Sequence, residues 1–333
     1  SDRNLMIPRR MLRTRCLADI VIFAALVAAP VTASAADYYL YYLGGQSNMD
    51  GYGRVGELPE SGRGVIPGAM IFHGNASPDG VAADGRGLWA PLQPGHGVGF
   101  RSDGATNTRS DRFGVELSFA RRLRELHPDR NIALLKYSRG GTSIAIDAAR
   151  HFGCWDPDFA GDDGPGRGIN QYDHFLASVR YATSTADIDG DGTADRLIPA
   201  GIVWMQGESD AAHTEETARL YEANLKRLVD LIRAALREDD LPVVVGRISD
   251  SGQDDTDGMV WDFGAIVREA QQSFVEHDAA AALVTSTDDY GYSDKWHYDS
   301  AGYLDLGRRF ADALDQIGPA AATPLSASRR TAE

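Results

Sequence analysis

Four short stretches of this chain hold residue types that can act together on a carbonyl group: "GGQSNM" (Gly44–Met49), "SRGGTS" (Ser138–Ser143), "QGESD" (Gln206–Asp210) and "DKWH" (Asp294–His297). A serine hydroxyl attacks an ester when an imidazole takes its proton and later returns it to the leaving alcohol. A carboxylate on the other ring nitrogen fixes the tautomer. Ser47, His297 and Asp294 are those three types, and Asp294 lies three residues before His297, within reach of Nδ1 across one turn. The oxyanion that forms needs preorganised donors about 3 Å away. The backbone N–H groups of Ser47 and Gly140 and the side-chain amide of Gln206 are the candidates. Glu208 is a second carboxylate that competes with Asp294 for His297. Each stretch alone also reads as an ordinary turn or surface pair; their joint occurrence carries the chemistry.

Those residues need a scaffold that brings them to one place. Short apolar runs predict strands at Tyr38–Leu43, Ala69–Phe72, Ile132–Tyr137, Gly201–Met205, Val243–Ile248 and Ala282–Thr285. Several lack polar alternation, as strands buried on both faces do. Helical periodicity marks Gly114–His127, Thr214–Glu238, Trp261–His277 and Ser300–Ile317, with Thr214 placed to cap the second. Strands alternating with helices predict an α/β fold with a mostly parallel central sheet between two helical layers. Such sheets place ligands at the carboxyl ends of their strands, and the four polar stretches follow four predicted strands. Gly74–Asp111 and Phe152–Gly168 are too long for plain connections and read as functional loops.

Residues 1–35 read as a secretory signal: Arg9, Arg10, Arg13 and Arg15, then the apolar run Ile20–Val31, then "ASA" at Ala33–Ala35. This predicts a secreted or periplasmic protein with one domain over residues 36–318 and a disordered tail over residues 319–333. The formal charge of −15 argues against a nucleic-acid partner, and no other run suggests a membrane. Of the two cysteines, Cys16 lies in the leader and Cys154 has no partner, so Cys154 reads as a structural thiol.

The stretches "GGQSNM", "KYSRGGTS", "WMQGESD" and "DKWH", together with "LWAPLQPG" (Leu88–Gly95) and "FGVELSFA" (Phe113–Ala120), resemble the blocks of the SGNH-hydrolase superfamily. More narrowly they resemble its sialate O-acetylesterase-like branch, which includes acetyl xylan esterases of carbohydrate esterase family six. The resemblance implies a flavodoxin-like three-layer α/β/α fold and hydrolysis of O-acetyl esters on carbohydrates with no cofactor required for catalysis. It implies Ser47 as nucleophile, Gly140 and Gln206 as oxyanion donors, and Asp294 and His297 as acid and base. The wider superfamily has Asn in its third block where this chain has Gln206-Gly207-Glu208, so the donor role passes to Gln206 by analogy.

A second site suggests itself in "DIDGDGTAD", where Asp187, Asp189, Asp191 and Asp195 space carboxylates around Gly192 as in a calcium loop. Ile198 stands where the bidentate Glu belongs, so the loop departs from an EF-hand. The expectation is a structural Ca²⁺; the bland alternative is a solvated acidic turn. Trp155 and Trp296 are candidates for stacking on a sugar and Arg139 for a substrate carboxylate or a plain ion pair with an acid, whereas Trp204 and Trp261 fit core positions. Two rivals stand beside a carbohydrate O-acetylesterase: a general arylesterase or lipase of the same superfamily, and a non-catalytic glycan-binding protein.

Overall fold

The structure, a computed structural model, describes residues 35–74, 84–161, 168–318 and 325. Nearly all of the expected leader, and the tail except Leu325, fall outside these residues. The Leu325 N–H donates to the Leu197 carbonyl at 2.7 Å. Among the described residues no helix is long and apolar enough to cross a membrane.

The strands are β1 (Asp37–Gly45), β2 (Gly53–Arg54), β3 (Ala69–His73), β4 (Trp89–Pro91), β5 (Arg101–Ser102), β6 (Asn107–Thr108), β7 (Arg112–Phe113), β8 (Asn131–Ser138), β9 (Arg196–Met205), β10 (Val243–Gly246) and β11 (Ala281–Val284). The helices are α1 (Ser47–Asp50), α2 (Glu116–Leu126), α3 (Gln171–Ser184), α4 (Glu208–Ala211), α5 (Glu215–Arg219), α6 (Tyr221–Leu236), α7 (Gly264–His277) and α8 (Ser300–Ile317).

The main sheet runs β11-β10-β9-β1-β8-β3-β4, parallel except for the β3–β4 edge pair. All six predicted strands belong to it. β4 was hidden inside a predicted loop because it is short and ends in Pro91, which an edge strand tolerates. β9 starts five residues before its prediction; it passes Pro199, which has no N–H, by a register shift against β1 between Leu40 and Tyr41.

Successive residues of a strand face opposite sides of the sheet. On β1, Tyr41 meets Phe119 of α2 edge-on at 5.4 Å, while Tyr42 meets Phe175 of α3 at 4.5 Å. Helices α2 and α8 pack together on the first face, and α3, α6 and α7 pack on the other. The result is three layers with a core of strand residues such as Leu43, Leu134 and Val203, all fully buried.

The helix predicted over Thr214–Glu238 is broken at Leu220 into α5 and α6. Thr214 caps as expected, its hydroxyl accepting the Thr217 N–H at 3.2 Å. The break sets Tyr221 beneath Gln206. Helix α3 escaped the sequence reading because its inner face carries Gln171, His174 and Ser178, which dilute the apolar period.

Candidate active site

β1 lies between β8 and β9, and the chain builds the β3–β8 side before crossing β1 to β9, so the crevice at the carboxyl end of β1 is a topological switch point. Three of the four polar stretches leave the sheet there. Gly45 sits at φ 140°, and a Cβ on it would lie 2.0 Å from the Met205 carbonyl oxygen. Only glycine lets β1 and β9 approach so closely just before the nucleophile candidate. The Gln46 N–H bonds to Met205 O at 2.9 Å and the Arg139 N–H to Gly45 O at 3.1 Å. Ser47 then opens the single-turn helix α1.

Ser47, Gly140, His297, Arg139 and Trp296 all line one cavity of about 570 Å³. Ser47 and His297 are 7% and 8% exposed, nearly closed to solvent yet open to the cavity. Within "DKWH", Asp294 Oδ2 lies 2.8 Å from His297 Nδ1, and Asp294 Oδ1 accepts the N–H groups of Trp296 at 2.8 Å and His297 at 2.9 Å. Burial pushes the Asp294 carboxyl upward, but the His297 ring and these two N–H groups outweigh it and hold the group below its ordinary value. Tyr52 stacks on the His297 ring at 3.5 Å and 5°, fixing its plane. Nothing in "DGYG" marked Tyr52 beforehand, since its partner lies far along the chain.

Glu208 does not reach His297. It is buried and accepts the Asn48 side-chain amide at 2.8 Å. Burial raises its carboxyl above the ordinary range, opposed by that hydrogen bond. Between the two carboxylates left open by the sequence, the geometry puts Asp294 on the imidazole.

Gln206 is corrected. Its amide is fully buried, and both Nε2 hydrogens are taken, by Thr142 O at 3.1 Å and Asp210 Oδ2 at 2.7 Å. Its Oε1 accepts from the Tyr221 hydroxyl at 3.0 Å. The residue ties the strand ends of β8 and β9 together and has no hydrogen left for an oxyanion. Asp210, fully buried, completes that tie by accepting the N–H groups of Ile144 and Ala145 at 2.9 and 3.0 Å.

Gly140 does pack against Ser47, the nucleophile candidate: a Cβ there would lie 3.3 Å from Ser47 Cβ and from Asp50 Oδ2. Asp50 also receives the Ser138 hydroxyl at 2.5 Å. Burial raises its carboxyl, with Ser138, Lys136, Arg139 and the Gly140 N–H pulling the other way. Beneath α1, the fully buried Lys136 ammonium donates to Asp50 O at 2.9 Å, His96 O at 2.7 Å and Glu116 Oε2 at 2.8 Å. Three acceptors around a buried cation hold the floor of the Ser47 turn.

Trp155 is corrected too. It is fully buried, donates to the Thr142 hydroxyl at 2.9 Å and packs edge-on against Trp204, so it offers no face to a sugar. Trp296 is 48% exposed at the cavity rim. Trp261, expected in the core, packs partly against it and also lines the cavity. Arg139 lies over the Phe152 ring at 5.7 Å. Cys154 is buried and its thiol pushed up to about 12 by burial, consistent with a structural role.

Away from the cavity, Asp187, Asp189 and Asp195 bring one carboxylate oxygen each to within 4.8 Å of one another. Asp191 is not part of that group; its Oδ1 accepts the Thr193 N–H at 2.7 Å instead. Asp195 Oδ1 is a buried oxygen with no hydrogen-bond partner, and burial together with Asp189 and Asp187 raises its carboxyl. An oxygen set of this kind suits a hard cation.

A comparison with curated proteins finds no significant match. Among solved structures, an Arabidopsis thaliana protein superposes with a TM-score of 0.54 at 18% identity, over 85% of this chain and 99% of that one. A carbohydrate acetylesterase from Xanthomonas citri gives 0.55 at 18% identity over 84% of this chain and 56% of its own. NanS gives 0.54 at 16% identity over 86% and 99%. At these identities the likeness is one of fold. The family model described as "Carbohydrate esterase, sialic acid-specific acetylesterase" matches residues 37–316, which span the whole sheet and all four polar stretches. By that match the chain belongs to this carbohydrate esterase family.

Proposed function

We propose that this chain is a secreted serine esterase that removes O-acetyl groups from a carbohydrate through an acyl-enzyme. The observation that carries the reading is the Asp294–His297 pair, 2.8 Å apart, whose imidazole lines the same cavity as Ser47. In the first half-reaction Ser47 Oγ bonds to the acetyl carbonyl carbon while His297 Nε2 takes the hydroxyl proton. The backbone N–H groups of Ser47 and Gly140 receive the oxyanion. Collapse expels the sugar alkoxide, which leaves as an alcohol with the proton from His297. In the second half-reaction water, deprotonated by His297, releases acetate and frees Ser47. Asp294 holds the imidazole in the tautomer that leaves Nε2 unprotonated. No step calls for a cofactor.

Trp296 and Arg139 at the cavity wall are the groups proposed to meet the sugar, the first by its exposed face. Residues 1–35 are proposed as the export signal. The apolar residues Val98, Phe152 and Trp261 also line the cavity, which favours a general arylesterase as the second reading. Acetate release from p-nitrophenyl acetate, acetylated xylan and O-acetylated sialic acid, by the unmutated chain and by Ser47→Ala, tests both. Loss of release in folded Ser47→Ala is the expected result, with sugar esters preferred over the aryl ester. A preference for the aryl ester selects the second reading, and full activity in Ser47→Ala removes the serine mechanism.

A further inference from the structure

Asn48 follows the nucleophile directly, is 2% exposed and has every hydrogen-bonding position of its amide filled. Nδ2 donates to Glu208 Oε1 at 2.8 Å and to the Trp296 carbonyl at 3.2 Å. Oδ1 accepts the Tyr303 hydroxyl at 2.8 Å and the Tyr298 N–H at 3.4 Å. Trp296 and Tyr298 are the two chain neighbours of His297. One side chain thus ties the residue after the nucleophile to the peptide groups on both sides of the base.

The amide can sit only one way round. Turned over, it would set Nδ2 against the Tyr298 N–H and Oδ1 against the Trp296 carbonyl, donor on donor and acceptor on acceptor. Glu208 on α4 and Tyr303 on α8 fill its two remaining positions, so that segments from three separate parts of the chain meet on it. Tyr52, six residues after Gln46, adds its stack on the imidazole from the same nucleophile segment.

We infer that Asn48 is a positioning residue that sets the separation of Ser47 from His297, with Glu208 and Tyr303 holding its amide in register. The inference rests on the serine-esterase reading. Proton transfer from Ser47 needs its oxygen within about 2.6–3.2 Å of the ring nitrogen, and a displacement of about 1 Å from this geometry costs on the order of 100-fold. Asn48 itself need touch no substrate, so its loss should act on turnover and not on binding.

The test measures kcat and KM on p-nitrophenyl acetate, and the rate of Ser47 labelling by a fluorophosphonate, for the full chain carrying Asn48→Ala, Asn48→Asp or Tyr303→Phe, with Ser47→Ala as control. Asn48→Ala is expected to lower kcat about 100-fold with KM little changed and labelling slowed in proportion. The pH midpoint of kcat/KM should hold, because the Asp294–His297 pair is intact. Asn48→Asp sets a carboxylate against Glu208 and the Trp296 carbonyl and should lose as much. Adding Glu208→Gln restores a donor to that link and should recover about tenfold.

Tyr303→Phe keeps the core shape and removes one hydrogen bond from Oδ1. It should lower kcat about three- to tenfold even if the Asn48 variants do not fold. Tyr303→Phe and every folded Asn48 variant retaining kcat within twofold of the unmutated chain, or losing only through KM, would overturn the inference while leaving the esterase reading in place. Activity in Ser47→Ala would instead remove that reading, and the inference with it.

Discussion

Replacing Asp294 by Asn isolates the tautomer of His297 from the rest of the site. Asp294 Oδ1 receives two backbone N–H groups, from Trp296 and His297, and these donors require an oxygen. An Asn at this position therefore keeps its oxygen there and turns its NH₂ toward His297 Nδ1, where Asp294 Oδ2 now lies at 2.8 Å. A donor facing Nδ1 makes that nitrogen the acceptor and moves the ring proton to Nε2. On the proposed mechanism the Nε2–H can then no longer take the Ser47 proton. Tyr52, stacked at 3.5 Å and 5°, holds the ring in its plane and opposes a rotation that would exchange the nitrogens.

The loss should approach the whole contribution of the oriented base, about 10³- to 10⁴-fold in kcat/KM, or roughly 4–5.5 kcal/mol of transition-state stabilisation. Steady-state hydrolysis of p-nitrophenyl acetate, with near-UV circular dichroism as the control for folding, reads it directly. Folded Asp294→Asn retaining more than a tenth of the activity would refute the assignment of Asp294 to His297.

Three further outcomes follow from the same geometry. Trp296→Ala should raise KM for an acetylated oligosaccharide about tenfold with a smaller effect on the aryl ester; equal effects on both would remove Trp296 from the sugar site. Burial raises Glu208 in the folded state, so its contribution is fully present below the unfolded value of about 4.3 and is lost as pH rises through the higher folded value. Glu208→Gln should flatten the fall of melting temperature across that window, and an unchanged slope would contradict the burial argument. Calcium in large excess over its dissociation constant should raise the melting temperature by about 5 °C relative to chelator, and Asp189→Ala should abolish the rise; equal melting temperatures would leave the Asp187–Asp195 loop a solvated turn.

What the sequence by itself determined was local. Apolar runs made the parallel strands, those of β3 and β10 wholly buried and the edge strand β11 half-buried, and all six predicted ones stand in the sheet. The Asp294–His297 pair was legible because a three-residue turn closes on its own backbone N–H groups and needs no distant partner. The turn that carries Ser47 was marked by its glycines, and at Gly45 the approach of β1 to β9 leaves no room for a Cβ.

What tertiary structure alone decided was every contact made across long stretches of chain. Gln206 carries the right amide for an oxyanion donor, yet its two hydrogens are spent on Thr142 and Asp210; Asp210 is only four residues on, but the Thr142 carbonyl is brought there by the sheet order β9-β1-β8 alone. Trp155 and Trp296 are the same residue type in similarly polar surroundings. One is buried against Trp204 and the other stands at the cavity rim, a difference that no local pattern carries. Asn48 gave no signal beyond its place after Ser47, since its four partners come from Glu208, Trp296, Tyr298 and Tyr303, more than 150 residues away. Hydrogen-bond valence is a local property of a side chain, but what satisfies it is set by which distant segments the sheet order brings together.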